Sequence, residues 1–234
     1  MPELFRGGTL EMSVTPLERV PGDVLWGDCA VNRLSLMVAI VLFILELSDL
    51  FRLYPHLLRC IPRWKGNLEL EHSVSLASTR NTLAYVTGLC LVLVADRWGL
   101  VSPSFRTELP PEWRLALTGA LLAGTLLLRR LLFFATKFRS ARSEFASAFV
   151  HIVFNYLILL ASLMLLTVVL LVAVRVNDLT VRNILYAEAA VFWLLYLLRT
   201  GEFLRSRCSS LATFLYLCAL EILPVGILIL VCTI

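Results

Sequence analysis

Apolar residues in this chain gather into long unbroken blocks, with polar residues confined mostly to the ends of each block. Six blocks follow one another, from about Leu34 to Leu53, Asn81 to Val101, Leu115 to Phe134, Ala148 to Val174, Ile184 to Leu198 and Leu211 to Ile234. A helix rising about 1.5 Å per residue needs about 20 mainly apolar residues to cross the hydrocarbon of a bilayer. Backbone amides find no water there, so only helices or closed barrels span it, and these blocks are too long and too uniform for barrel strands. The pattern predicts an all-α polytopic membrane bundle of about six transmembrane helices. The fourth block, about 40 Å long as a helix, must tilt or project. The third and fifth are the weakest: Arg129 and Arg130 interrupt the third, which spans only if both reach back to the interface, and the fifth is short and carries Glu188. Five spans remain if either fails.

Composition agrees with lipid as the main solvent. Hydrophobic residues make up 59% of the chain and charged ones only 16%, against about 25% charged in soluble domains. Residues 1–33 read as an acidic tail, with Glu3, Glu11, Glu18, Asp23 and Asp28, and 34–234 as one membrane domain. The tail lacks a basic region before an apolar stretch and a small-residue cleavage site, so the first helix is expected to act as an uncleaved insertion signal. Basic residues are richer in every second connection. The first, third and fifth loops hold thirteen Lys and Arg against eight elsewhere, which predicts those loops in the cytoplasm and both termini outside. Trp26, Trp98 and Trp113 then share the outer interface, with Trp64 at the inner one.

The net charge of +4 is modest, and its carriers sit at block ends, so no nucleic-acid partner is implied. Cys29, Cys60, Cys90, Cys208, Cys218 and Cys232 form no CxxC pair and no ligand spacing with histidine, and read as small packing residues; no metal or cofactor is expected. The first and third loops mix aromatic and basic residues. In the third, Phe134, Phe138, Phe145 and Phe149 recur near helical spacing with Lys137, Arg139 and Arg142 between them. Such segments are expected to lie along the membrane plane against anionic lipid, with a protein-docking role as the alternative.

Chemistry is sparse. Glu221 stands inside the last block with Pro224 three residues on. Proline has no N–H to give the Leu220 carbonyl, so a kink and a polar notch are expected at Leu220, Glu221 and Pro224. Three uses stay open for Glu221: a protonated side chain bonding a neighbouring helix, a carboxylate paired with an arginine, or an ionisable site for a moving proton or cation. Glu46, Asp49 and Arg52, three apart on one face, His151 and Asn155, four apart, and the helix-end residues Arg80 and Arg199 form a candidate polar cluster in the cytoplasmic half. Asp96 and Arg97 read as a solvated interfacial pair, and Glu188 as reaching headgroups. Ala84 with Gly88 and Gly119 with Ala123 predict that the second and third helices are neighbours. His56 and His72 read as surface residues. No GxSxG, HExxH, P-loop or GxGxxG motif occurs.

The C-terminal stretches LYLLRTGEFLRSRC and FLYLCALEILPVGILI resemble an uncharacterised family of multi-pass integral membrane proteins found chiefly in Bacteroidota, through a LYLC-x-LEI-x-P pattern here formed by Leu215, Tyr216, Leu217, Cys218, Leu220, Glu221, Ile222 and Pro224. The likeness covers about residues 130–234. It implies the cytoplasmic membrane of a two-membrane cell and no particular activity. The expected function is a non-catalytic subunit or assembly factor of a cell-envelope complex, acting with a protein partner in the membrane or as a homo-oligomer. Two alternatives stand beside it: a proton- or cation-coupled transporter using Glu221, and a membrane enzyme acting on lipid with His151 or Glu221 as acid or base.

Overall fold

A computed structural model describes residues 26–62, 66–67, 70, 73–135, 143–206 and 209–233, with backbone alone for 143–148. Most of the acidic tail, Trp64, His72, Lys137, Phe138, Arg139, Arg142, Cys208 and the Phe145 side chain lie outside the described residues. Among those described are seven helices and no strand: α1 Ala30–Leu45, α2 Leu47–Cys60, α3 Val74–Arg97, α4 Pro111–Ala135, α5 Ser143–Ala173, α6 Asp178–Arg205 and α7 Ser210–Thr233. Short 3₁₀ turns occupy Trp26–Asp28 and Ser104–Glu108.

Four helices are long and apolar enough to cross a membrane: α4, α5 from Phe149 onward, α6 and α7. The chain therefore has the architecture of an integral membrane protein. Both blocks that looked weakest in the sequence, the third and fifth, are among these four. The fifth grows from a short apolar block to a helix of 28 residues, because a helix does not end where apolarity ends. Asn177 caps it by accepting the Leu179 N–H, with Asp178 in the first turn and Arg205 in the last.

The first two expected spans are the ones that change. The block from Leu34 to Leu53 is not one rod: α1 and α2 meet at Glu46 at a bend of 67°, and together they qualify as one span only across that break. Leu50, Leu53, Leu57 and Cys60 line the buried side of α2, whereas Ser48, Arg52, Pro55 and Arg59 are exposed. That two-sided pattern suits a helix lying along an interface better than one crossing it. The second, α3, starts seven residues earlier than its apolar block and falls short of the apolarity of a span. Its position explains why. It packs against α1, α2, α4 and α5, so Arg80, Thr87 and Asp96 are buried in protein rather than lipid.

Buried apolar residues gather into four clusters, two of which pack α3 against α5. At one end Phe149 stacks against Phe133 at 5.3 Å and Phe203 at 6.3 Å between ring centres, joined by Ile152, Tyr156, Tyr196 and Leu220. Phe149 is thus a core residue and not part of a lipid-facing stripe with Phe134, which is exposed. The expected neighbours do touch: a Cβ on Gly119 of α4 would lie 3.6 Å from Val92 of α3. Gly88 faces α5 instead, at Leu157.

Leu53 is fully buried and Leu45 is 71% exposed. Leu53→Ala is expected to lower stability in mild detergent by roughly 2 kcal/mol, the low end of the Leu→Ala range because lipid is as apolar as the leucine. Leu45→Ala is expected to leave the thermal midpoint unchanged; equal losses would contradict the packing of α2.

Candidate functional site

The Glu221 side chain meets a partner that sequence spacing alone did not single out. Arg129 of α4 donates through Nε to both carboxylate oxygens, at 3.0 and 3.1 Å. Its Nη1 donates to the Val150 carbonyl at 3.3 Å and its Nη2 to the Phe149 carbonyl at 3.2 Å. The guanidinium lies 5.3 Å from the Phe149 ring centre and 6.0 Å from that of Tyr196. The buried Tyr196 hydroxyl has no hydrogen-bond partner among the described residues. Both charged residues are buried, and together these contacts join α4, α5, α6 and α7. Of the three uses open for Glu221, the structure assembles the carboxylate–arginine pair. Arg129 does not reach back to an interface; Arg130, one position on and exposed, lies over Phe134.

The local backbone is a π-turn, Cys218–Ile222, in which the Leu223 N–H bonds the Cys218 carbonyl five residues back. This register slip lies where the proline kink was expected, and α7 continues as one helix through Pro224. The slip falls where Pro224 has no N–H for the Leu220 carbonyl, so little is lost by abandoning α-helical register there. Leu220 packs into the aromatic cluster, and a cavity of about 180 Å³ lies beside the pair, lined by Thr125, Tyr156, Trp193, Tyr196, Glu221 and Pro224 among others.

The remaining candidates do not converge on Glu221. Glu46 sits at the α1–α2 bend, Asp49 is half-buried and Arg52 exposed, and among the described residues no ion pair joins these three. His151 lies against the Phe154 ring. Asn155 is buried and donates to the Asn67 side chain at 2.8 Å, tying the first loop to α5. Arg199 pairs with Glu202 within α6, and Arg80 holds the Asn81 side chain. Glu188 does not reach outward but accepts from Thr167 of α5.

A second charged centre lies at the end of the bundle carrying Trp26 and Trp98. Asp96 is not half of a solvated pair with Arg97. It is buried, accepting from Trp26 Nε1 at 2.7 Å, Arg106 Nη2 at 2.7 Å and Thr118 Oγ1 at 2.9 Å. Arg97 instead packs on the Trp26 and Trp98 rings and lies 3.8 Å from Asp178. Above Asp96 opens a polar recess of about 490 Å³, whose lining includes Trp26, Asn32, Arg97, Trp98, Arg106 and Arg114. Below it, an apolar groove of about 1040 Å³ runs between α1, α3 and α5.

Removing one member of the buried pair leaves an uncompensated charge, which costs roughly 3–5 kcal/mol, while replacing both by apolar residues is often neutral. Arg129→Leu and Glu221→Leu singly should sharply lower the yield and thermal midpoint of the detergent-extracted protein, and the double variant should recover most of the loss. A double variant as damaged as the sum of the singles would show that the two charges act independently. Comparison of the chain with protein-family models, curated proteins and solved structures finds no match.

Proposed function

We propose that the chain is a non-catalytic, multi-pass subunit or assembly factor of a cell-envelope complex in a bacterial cytoplasmic membrane, with the Trp26 end of the bundle facing outward. The observation that carries this reading is the closed state of the intramembrane carboxylate. Glu221 is held by both nitrogen–oxygen contacts of a guanidinium that also grips two backbone carbonyls. A coupling site must exchange its partner for a proton or cation in every cycle, and a clamp anchored on three other helices opposes that exchange. The charge is better suited to holding helices in place.

A surface for a membrane partner is available on α1, which touches the bundle chiefly through Asn32 and Ala39 and leaves Leu34, Met37, Val41 and Leu45 exposed along one side. The arrangement of basic residues and the C-terminal resemblance support the address and orientation. The lipid-enzyme reading has less support, because Glu221 is occupied by Arg129 and His151 is packed beside an aromatic ring.

Native extraction of the tagged protein in mild detergent, followed by mass measurement of the intact complex, tests this reading. The expected result is a stoichiometric envelope protein that stays bound to the Arg129→Leu, Glu221→Leu double variant. A lone oligomer that dissipates a proton gradient in liposomes, and ceases to do so in Glu221→Gln, would replace it with the transport reading.

A further inference from the structure

We infer that the polar recess and the apolar groove at the Trp26 end form one amphipathic site that holds a single anionic membrane phospholipid, headgroup in the recess and acyl chains in the groove. The two cavities adjoin: Trp26, Arg97 and Trp98 line both. The groove walls include Leu36, Ala39 and Ile40 of α1, Cys90 and Leu93 of α3 and Leu165 and Val172 of α5. Its volume lies at the upper end of the roughly 300–1,000 Å³ typical of ligand sites. From Leu165 to Ala173 is about 12 Å of helix, close to half of a hydrocarbon core of about 30 Å, the depth of one leaflet.

The lining favours an anion. Arg97, Arg106 and Arg114 line the recess and Arg175 the groove, against the carboxylates of Asp96 in the recess and Asp178 in the groove. Arg106 is paired with Asp96 and Arg97 lies 3.8 Å from the exposed Asp178, so four arginines against two carboxylates leave the combined lining net positive. Three buried polar atoms of the recess lining have no hydrogen-bond partner: Asn32 Oδ1, Trp98 Nε1 and Arg106 Nε. Asn32 is 3% exposed. The two nitrogens are donors of the kind a phosphate oxygen accepts, and Asn32 Oδ1 is an acceptor for a headgroup hydroxyl or amine.

Arg175 supplies an independent sign. Helices α3 and α5 both end here in the same cap. After α3, Gly99 at φ +61° is followed by the Leu100 N–H bonding the Ala95 carbonyl; after α5, Arg175 at φ +57° is followed by the Val176 N–H bonding the Leu171 carbonyl. Glycine is the favoured residue at that left-handed position, and an arginine held there against its backbone preference points to a use for the side chain.

The test uses the full-length protein in mild detergent, with native mass spectrometry and thermal unfolding against added phosphatidylglycerol or phosphatidylcholine. The expected result is one retained or added phosphatidylglycerol per chain, with a stabilisation that phosphatidylcholine does not reproduce. Arg175→Gly should unfold at or above the wild-type temperature without lipid yet bind phosphatidylglycerol about fivefold more weakly, as one basic residue at an anionic surface implies. Val169→Trp, at an exposed groove position, should block uptake, whereas Leu211→Trp on α7 should not. Equal binding of both lipids, no lipid at all, or a protein segment in the groove would each overturn the inference.

Discussion

Lipid cannot solvate charge, and the interior of this bundle is organised around that constraint. The Arg129–Glu221 pair is its clearest expression. An isolated charge at bilayer depth costs about 2.5–3.5 kcal/mol on insertion scales, and one guanidinium relieves the cost for α4 and α7 together while its remaining donors reach two carbonyls of α5. Aromatic rings of α5 and α6, Phe149 and Tyr196, pack against the guanidinium. The π-turn in α7 occupies the same level as the carboxylate, so the backbone irregularity and the charged pair belong to one packing arrangement.

The same constraint accounts for α3. A helix with Arg80, Thr87 and Asp96 on its buried surfaces is a poor lipid-facing span, and the fold gives it four helical neighbours in place of lipid. Asp96 then collects donors from the turn before α1, the connection after α3 and the side of α4. Charge at both ends of the bundle is thereby converted into links between segments distant in sequence. Where polar atoms at the Trp26 end stay without partners, the site opens to lipid.

Apolar block length was sufficient to predict an all-α membrane bundle, because span length is set by bilayer thickness and backbone hydrogen bonding acts within each segment. The two blocks marked weakest proved long and apolar enough. Two of the charges that raised doubt are met by other helices, Arg129 by Glu221 and Glu188 by Thr167, and Arg130 is exposed over Phe134. The bend at Glu46 and the central place of α3 were not legible, since hydropathy does not distinguish a polar residue facing protein from one facing water.

Glu221 itself was visible from sequence as a costly residue in an apolar run, and pairing with an arginine was among its open uses. Which arginine was not determined, because Arg129 is 92 positions away and the match of depth between α4 and α7 is set by how the helices pack. The role of Asp96 was hidden for the same reason: its three side-chain donors, Trp26, Arg106 and Thr118, lie 70, 10 and 22 positions off. The sequence alone determined the solvent of this protein and the residues that lipid makes expensive. Only the tertiary structure decided who neutralises whom, since a long-range ion pair depends on rotation and depth of whole helices, quantities that no local pattern encodes.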